Sequence, residues 1–188
     1  MAALYQGGPG CLIMLVGPPA SGKSYLARRL AERLDARLLQ TDVLRRSMFE
    51  QPRYTTSEHA AVFAKAHRRI RRLLSQGKGV IFDATNLQES SRRVVYRMAD
   101  AAQASLLIVL TYAPVEAIEQ RLLGRRQGRY PDDQSQADWE VYLKMQRAEP
   151  ISRPHIVVNT TVDLEQAVQL IANRVTQAKY TARRERAE

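Results

Sequence analysis

Short apolar runs alternate along this chain with longer segments in which apolar residues recur every three or four positions. The runs predict buried strands, and the longer segments predict amphipathic helices. Strands that alternate with helices are typical of a parallel sheet covered on both faces, so the pattern predicts an α/β fold. The predicted strands are 11–16, 37–40, 80–82, 105–110 and 156–158.

Helices are predicted between and after these strands. The first covers about 23–34, where Leu26 and Leu30 lie on one face. Thr55 and Glu58 form a capping-box pattern at the start of the second, which ends at a glycine-containing stretch. The other helices are predicted to begin near 86, 113, 138 and 162. At least one helix is therefore predicted between each pair of successive strands.

The length of 188 residues suits one domain, and no linker-like segment divides the chain. We expect the domain at 11–178, a flexible segment at 1–10 and a frayed tail at 179–188. No apolar run reaches the roughly 18 residues of a membrane span, and the first residues lack the pattern of a secretory signal. These features predict a cytoplasmic protein. Cys11 is the only cysteine, which excludes an internal disulfide and a cysteine-rich metal site.

The net charge of +10 comes almost entirely from the first half of the chain. Residues 1–100 contain 17 Lys and Arg against 8 Asp and Glu, whereas residues 101–188 contain 12 against 11. A basic surface attracts polyanions over long distances, but the same residues could simply form solvated helix faces. Charge alone leaves both interpretations open. The arginine clusters are Arg68, Arg69, Arg71 and Arg72, and Arg92, Arg93 and Arg97.

The first predicted strand runs directly into a turn with the spacing Gly-x-x-x-x-Gly-Lys-Ser. Gly17 and Gly22 permit a tight turn whose N–H groups point into one concavity, next to the positive end of a helix dipole. Lys23 can reach the β- and γ-phosphates of a nucleotide, and Ser24 offers a hydroxyl to Mg²⁺. The turn therefore predicts a site for ATP, or another NTP, with Mg²⁺. Its predicted binding residues are Gly17, Ala20, Ser21, Gly22, Lys23 and Ser24.

Polar residues follow the second predicted strand. Asp42 lies at its carboxyl end, and Arg45 lies about one helical turn further along. A carboxylate here can accept the proton of an attacking hydroxyl, while the arginine holds an anionic part of the acceptor. Asp42 could instead cap a short helix over 43–50. The sequence leaves both interpretations of Asp42 open.

The third predicted strand is followed by Asp83 and, three residues later, by Asn86. A carboxylate beside a nucleotide-binding loop is the usual organiser of the Mg²⁺ shell, so Asp83 is predicted as a metal ligand. Asn86 is predicted to cap the next helix and to face the acceptor. A purely structural turn is the alternative for this segment.

The fourth predicted helix carries Arg121 and Arg125, four residues apart on one face. The following segment is rich in Gly, Pro and Asp, which predicts a mobile lid at about 121–137. Arginines that close over a transferring phosphate neutralise the charge that moves in the transition state. The alternative is a solvated end of an amphipathic helix.

Four segments resemble, in their order and separation, the P-loop kinases of the polynucleotide 5′-hydroxyl kinase group and their zeta-toxin-like relatives. The segments are GPPASGKS, TDVLR, FDATN and RLLGRR. The resemblance extends from Leu12 to about Ala172. It implies a P-loop NTPase kinase fold, with a five-stranded parallel sheet in the order 2-3-1-4-5, helices on both faces and a lid.

The same resemblance implies a role for individual residues. Asp42 is implied to be the general base, and Arg45 to contact the acceptor. Asp83 resembles the Walker B aspartate of the family. Arg125 resembles the lid arginine on the ATP phosphates, with Arg121 one turn before it.

Together these features predict an ATP-dependent kinase that transfers the γ-phosphate to an alcohol. The preferred acceptor is the 5′-hydroxyl of RNA or DNA, because the basic half of the chain is also the predicted acceptor half. A small-molecule acceptor (a sugar, an antibiotic or a nucleotide sugar) is the first alternative. A nucleotide-dependent binding or switch protein is an alternative of another class. The sequence leaves the oligomeric state open.

Overall fold

The computed structural model describes residues 10–130, 135 and 137–184, with side chains as far as Ala178. The described residues form a three-layer arrangement in which strands and helices alternate, as the pattern predicts. In chain order the elements are β1 (Cys11–Val16), α1 (Lys23–Leu34), β2 (Arg37–Gln40), α2 (Thr41–Met48), α3 (Thr56–Ser75), β3 (Val80–Asp83), α4 (Glu89–Ala101), β4 (Ser105–Tyr112), α5 (Val115–Arg126), α6 (Trp139–Lys144), β5 (His155–Asn159) and α7 (Leu164–Arg184).

The five strands form one parallel sheet in the order β2-β3-β1-β4-β5, which confirms the predicted order. In the central strand, Met14 is aligned with Phe82 of β3 and with Ile108 of β4. At the edge of the sheet, Gln40 is aligned with Asp83. Because all strands run the same way, their carboxyl ends meet at one edge of the sheet, which we call the carboxyl edge.

Strand β1 separates two hydrophobic cores, and all six of its residues are buried. Leu12, Met14 and Val16 face the core formed with α3 and α4. The alternate residues of β1 face the core formed with α1 and α7. A central parallel strand must be apolar on both faces, which explains why β1 is a continuous apolar run rather than an alternating one.

Strand β4 and helix α7 are longer than the sequence pattern predicts, as are β3 and β5 by one or two residues. Strand β4 continues through Thr111 and Tyr112 because β5 pairs with it as far as Asn159. Helix α7 extends to Arg184, past the predicted start of a frayed tail at 179, since no Gly or Pro interrupts it. The flexible segment predicted at 1–10 lies outside the described residues except for residue 10, as do the last four residues of the tail. No helix among the described residues is long and apolar enough to cross a membrane.

Arg92 is fully buried, which corrects its assignment to a basic surface cluster. Its guanidinium donates five hydrogen bonds at 2.6–2.8 Å and forms an ion pair with Glu89. These bonds tie the turn after β3 to the segment that precedes β5, so Arg92 is a structural residue. The acceptors are Glu89 Oε2 and the carbonyl oxygens of Asn86, Leu87, Glu149 and Pro150.

The cluster of Arg68, Arg69, Arg71 and Arg72 is exposed but lies away from the carboxyl edge. Its four arginines are in the second half of α3, which runs antiparallel to the strands. At the end of α3, Leu74 packs against Gly10, directly before β1, where an added Cβ would lie 3.1 Å from Leu74 Cδ2. The cluster therefore approaches the amino edge of the sheet. The basic residues of the first half do not form one continuous surface around the glycine-rich turn.

We expect Arg92→Met to lower the free energy of unfolding by about 3 kcal/mol, because buried acceptors lose their donors. Arg93→Met is the matched control, because the Arg93 side chain is 69% exposed and lies 3.8 Å from Glu89. Its effect should stay within about 0.5 kcal/mol. Urea unfolding followed by circular dichroism measures both values. Equal destabilisation by the two variants would contradict the structural role of Arg92.

Candidate functional site

The carboxyl edge of the sheet gathers the residues predicted to form the site. Gly17 follows β1, Asp42 lies in the first turn of α2 and Asp83 ends β3. Two residues that the sequence analysis did not single out, Thr111 at the end of β4 and Thr160 after β5, lie at the same edge. Open α/β sheets bind their ligands outside the carboxyl ends of the strands, so this edge is the candidate site.

The first glycine of the turn is required because a side chain has no room there. Gly17 has φ 151°, and an added Cβ would lie 2.5 Å from Thr111 O and 2.8 Å from Ser21 Oγ. Its N–H donates to Thr85 O at 3.0 Å, which ties the turn to the segment after β3. The main chain can therefore pass close to β4 only with glycine at this position.

The second glycine begins α1. Gly22 is the N-cap residue, with φ 87°, and an added Cβ would lie 2.8 Å from Thr160 Oγ1. No acidic residue lies in the first turn of α1, where Lys23 is the first helical residue. The positive end of the helix dipole therefore points into the turn without a neutralising carboxylate. The helix dipole and the adjacent Lys23 together favour the binding of an anion in the turn.

The polar side chains of the turn are buried. Lys23 is 7% exposed, and its Nζ donates to Pro18 O at 2.6 Å and lies 3.5 Å from Ser21 Oγ. The Ser21 and Thr111 hydroxyl oxygens are 2.8 Å apart, and Thr111 Oγ1 donates to Val16 O at 3.2 Å. The lysine ammonium is thus held inside the turn, where a phosphate group can replace the Pro18 carbonyl as its partner.

Asp42 and Arg45 lie together with Tyr54 at the carboxyl edge of the sheet. Asp42 is half-buried in α2, but Gln40 is the N-cap residue of that helix, so Asp42 is not its N-cap. Arg45 is buried, and its Cζ lies 4.6 Å from the centroid of the Tyr54 ring. Burial raises the pKa of the Tyr54 hydroxyl, and the charge of Asp42 raises it further. Asp42, Arg45 and Tyr54 therefore form one cluster.

Glu58 holds the loop that carries Tyr54. Its carboxylate accepts hydrogen bonds from the main-chain N–H of Arg53 at 3.0 Å and of Tyr54 at 2.7 Å. Thr55 Oγ1 in turn accepts from Glu58 N–H, which confirms half of the predicted capping box. Glu58 Oε2 also lies 3.5 Å from Arg45 Nη1. Arg45 Nε and Nη1 are buried and make no hydrogen bond to the described residues.

Asp83 lies at the carboxyl end of β3 with 5% of its surface exposed, and its role as a metal ligand stays a prediction. Gln40 Nε2 donates to Asp83 Oδ2 at 2.9 Å, which fixes the orientation of the carboxylate. The Asp83 carboxylate and the Ser24 hydroxyl are hard oxygen donors of the kind that Mg²⁺ prefers. Among the described residues no group of three His, Cys, Asp or Glu could hold a metal by itself. This fits Mg²⁺, which takes few protein ligands and completes its shell with phosphate and water.

Asn86 does not cap α4, so that prediction is wrong. The N-cap residue is Gln88. Asn86 is instead 3% exposed at φ 49°, and its Nδ2 donates to Leu15 O at 2.7 Å, because this carbonyl near the end of β1 needs a donor. Asn86 thereby supports the strand that leads into the glycine-rich turn. Its predicted contact with an acceptor stays a prediction.

The two lid arginines have different partners. Arg121 Nη1 donates to Ala20 O at 3.1 Å and to Thr160 Oγ1 at 2.9 Å, and burial lowers the pKa of its guanidinium. Arg125 Nη1 donates to Ala137 O at 2.8 Å, so it joins the two arms of the predicted lid. Arg121 therefore binds the main chain of the turn, whereas Arg125 binds within the lid. Positions 131–134 and 136 of the lid lie outside the described residues.

Sequence reasoning missed Thr111, Thr160 and Glu58 as parts of the site. Thr111 could have been noticed as a hydroxyl in an otherwise apolar strand next to the nucleotide-loop strand. Glu58 was identified only as a capping residue. Thr160 has no local pattern that marks it, because its partners are 39 and 139 residues away.

The comparisons with known proteins agree with this architecture. A family model described as an AAA domain (AAA_33) matches residues 12–151, so the chain belongs to that family. Rv2004c of Mycobacterium tuberculosis and Mb2027c of Mycobacterium bovis, both described as uncharacterised, are each 27% identical over 162 residues. Each alignment covers 76% of this chain and 32% of the relative. The chain thus spans about a third of the length of these curated relatives.

Solved structures show the same fold. Kti12 of Chaetomium thermophilum in complex with ADP-AlF3 has a TM-score of 0.70 at 22% identity, covering 89% of this chain and 98% of that one. Mycobacterium tuberculosis APS kinase CysC in complex with AMPPNP and APS has a TM-score of 0.68 at 16% identity, with coverages of 89% and 98%. A gluconokinase from Sinorhizobium meliloti has a TM-score of 0.62 at 18% identity, with coverages of 94% and 97%. The fold is therefore that of the P-loop kinases.

We expect Gly22→Ala to weaken ADP binding about tenfold or more, because the new Cβ would meet Thr160 at 2.8–3.0 Å. Gly77→Ala is the control, because Gly77 has a similar φ of 69° but lies after α3, away from the carboxyl edge. It should lose about 1 kcal/mol of stability through backbone strain and keep its ADP affinity. Titration calorimetry with ADP, together with urea unfolding, measures both effects. A normal ADP affinity in Gly22→Ala would contradict the crowding at this turn.

Proposed function

We propose that this protein is an ATP-dependent phosphotransferase that moves the γ-phosphate of ATP to an alcohol. The observation that carries the proposal is the placement of Asp42 and Arg45 on α2, at the same edge of the sheet as the buried Lys23. A protein that only binds nucleotide needs the turn around Lys23, but it has no need of a carboxylate and an arginine beside it. The P-loop kinase fold supports the proposal.

The glycine-rich turn would bind the triphosphate. Main-chain N–H groups and the amino end of α1 favour the phosphate oxygens, and Lys23 Nζ exchanges the Pro18 carbonyl for the β- and γ-phosphates. Ser24 and Asp83 would hold Mg²⁺, which when bound neutralises charge on the β- and γ-phosphate oxygens. Arg125 would add positive charge from the lid.

Asp42 would act as the general base of the transfer. It accepts the proton of the acceptor hydroxyl while the acceptor oxygen bonds to the γ-phosphorus. The bond between the γ-phosphorus and the bridging oxygen of the β-phosphate breaks, and ADP leaves with that electron pair. A half-buried carboxylate suits this role, because it keeps access to the site while it is partly removed from water.

Arg45 would bind the acceptor. Its buried Nε and Nη1 make no hydrogen bond to the described residues, and leaving such donors unsatisfied costs about 1–3 kcal/mol each. Oxygen atoms of an acceptor would supply the missing partners. Tyr54, which covers Arg45 and is 47% exposed, would form the outer wall of this pocket.

A 5′-hydroxyl end of RNA or DNA is the acceptor that we propose, and the exposed arginines of α3 support it. Arg68 and Arg72 lie 10 and 14 residues after Glu58, which is about 15–21 Å along the helix. A strand of several nucleotides whose 5′ end reaches Asp42 is long enough to contact these arginines, and phosphate contacts of this kind supply nonspecific affinity.

A small anionic alcohol is the second candidate acceptor. The specific observation in its favour is the burial of Arg45, which is 5% exposed, beside the half-buried Glu58. A narrow site with one buried arginine matches one anionic group better than a long polymer. This candidate needs no contact with α3.

Asp42→Asn should lower phosphate transfer at least about a thousandfold while ADP affinity stays within about twofold, because only the base is lost. The measurement combines initial rates with γ-labelled ATP and Mg²⁺ with an ADP titration. Glu50→Gln, an exposed carboxylate after α2, is the matched control and should keep full activity. Transfer that survives in Asp42→Asn would contradict the general-base assignment. Slow ATP hydrolysis without transfer to any alcohol would favour the switch-protein alternative.

The acceptor is tested with γ-labelled ATP and 5′-hydroxyl RNA and DNA oligonucleotides of 2 and roughly 12 nucleotides, beside a panel of sugars, antibiotics and, as small anionic alcohols, nucleotide sugars. Arg72→Glu should raise KM for the long oligonucleotide about three- to tenfold and leave the dinucleotide unaffected, because only the long strand reaches α3. Arg174→Glu, an exposed charge reversal on α7, is the control and should change neither value. Added salt should weaken the long substrate most. Label found only in a small molecule would overturn the nucleic-acid assignment.

A further inference from the structure

We infer that Thr160 is a positioning residue that couples the lid helix α5 to the nucleotide-binding turn through Arg121. This inference rests on the proposed function only in requiring that the turn binds a nucleotide. Its basis is one hydroxyl group that bonds to both elements. Thr160 Oγ1 donates to Ser21 O at 2.8 Å and accepts from Arg121 Nη1 at 2.9 Å.

Thr160 is itself held firmly. Its N–H donates to Tyr112 O at 3.0 Å, which continues the pairing between β4 and β5 by one residue. Its side chain fills the space beside Gly22, where an added Cβ would lie 2.8–3.0 Å from three Thr160 atoms. The sheet therefore fixes Thr160, and Thr160 in turn fixes the main chain of the turn at Ser21 and Gly22.

Arg121 provides the connection to the lid. Besides Thr160 Oγ1, it donates to Thr160 O at 3.0 Å and to Ala20 O at 3.1 Å. One guanidinium thus joins α5 to the turn directly, through Ala20, and indirectly, through Thr160. Because bonds to a charged donor are stronger than neutral ones, this bridge resists a displacement of α5 relative to the turn.

Apolar packing reinforces the same connection. Ala20, which has φ 58°, packs against the small hydrophobic cluster of Ile118, Leu122 and Tyr142. Two of these residues belong to α5 and the third to α6, so the turn packs at Ala20 against a cluster that these two helices form. A movement of α5 would therefore disturb Ala20, Ser21 and Gly22 together.

The bridge between Thr160 and Arg121 also affects the binding of a nucleotide. The main-chain N–H groups of the turn bind phosphate well only in one conformation, and Thr160 and Arg121 stabilise that conformation through hydrogen bonds to the carbonyl oxygens of Ser21 and Ala20. The same bridge transmits the lid position to the phosphates. Thr160 would thus tune nucleotide affinity without touching the reacting atoms.

The test removes the bridging hydroxyl and keeps the volume. Thr160→Val should raise the Kd for ADP about tenfold, because the hydrogen bonds to Ser21 and Arg121 are lost. Thr160→Ser, which keeps the hydroxyl, should stay within about twofold of the parent protein. Thr161→Val is the matched control, because its hydroxyl contacts Asn159 Oδ1 at 2.8 Å and should leave ADP affinity unchanged. Titration calorimetry gives Kd, and thermal unfolding verifies the fold.

A double-mutant cycle with Arg121→Gln separates coupling from two independent losses. If the bridge is one unit, the double variant should weaken ADP binding by less than the product of the two single effects. In turnover, KM for ATP should rise more than kcat falls. Should Thr160→Val fail to fold, the Kd of Arg121→Gln for ADP tests the same bridge, because this variant removes the donor to Thr160 Oγ1. ADP affinity equal to that of the parent in Thr160→Val, or fully multiplicative effects in the cycle, would overturn the inference. Because the readout is ADP affinity, the outcome does not depend on which alcohol, if any, accepts phosphate.

Discussion

The close approach of the main chain at residues 17–22 to the neighbouring strand ends is the constraint on which the rest of the site depends. At Gly17 and Gly22 a β-carbon would lie within 3 Å of Thr111 and Thr160, respectively. At these two positions the turn therefore carries no side chain towards β4 and the segment after β5. Its N–H groups and the start of α1 can then form an anion-binding concavity that the sheet holds in place.

Local patterns made the fold and this turn predictable from the sequence. A strand buried on both faces must be apolar throughout, and a turn that approaches other main chain must carry glycine. Both requirements act within a few residues. The strand at Cys11–Val16 and the turn from Gly17 to Lys23 can therefore be recognised from the local sequence alone. The position of Asp42 and Asp83 at the carboxyl edge was predictable for a related reason, because the ends of parallel strands meet at one edge of a sheet.

The parts that sequence reasoning missed depend on partners far along the chain. Arg92 and Arg93 are neighbours of the same type, yet one is fully buried and the other is 69% exposed. Arg92 lies on the buried face of α4 with Val95, and two of its five acceptors come from the segment at Glu149 and Pro150, whose approach no local pattern indicates. Asn86 was predicted to cap a helix because its position resembles a helix start, but the carbonyl of Leu15 was the partner that needed its amide.

For the binding of an acceptor, the location of the positive charges matters more than the net charge of the chain. Arg45 is buried beside Glu58, and as an acceptor-binding residue it would discriminate between groups that can and cannot accept hydrogen bonds from its Nε and Nη1. The exposed arginines of α3 act through a screened, long-range field that raises the local concentration of any polyanion. In the proposed function, selectivity for the alcohol would therefore reside at Arg45, and affinity for a long anionic strand would reside on α3. These two contributions would be separable, because Arg68 and Arg72 lie about 15–21 Å along α3 from Glu58, the partner of Arg45. This distance is more than a Debye length at physiological salt.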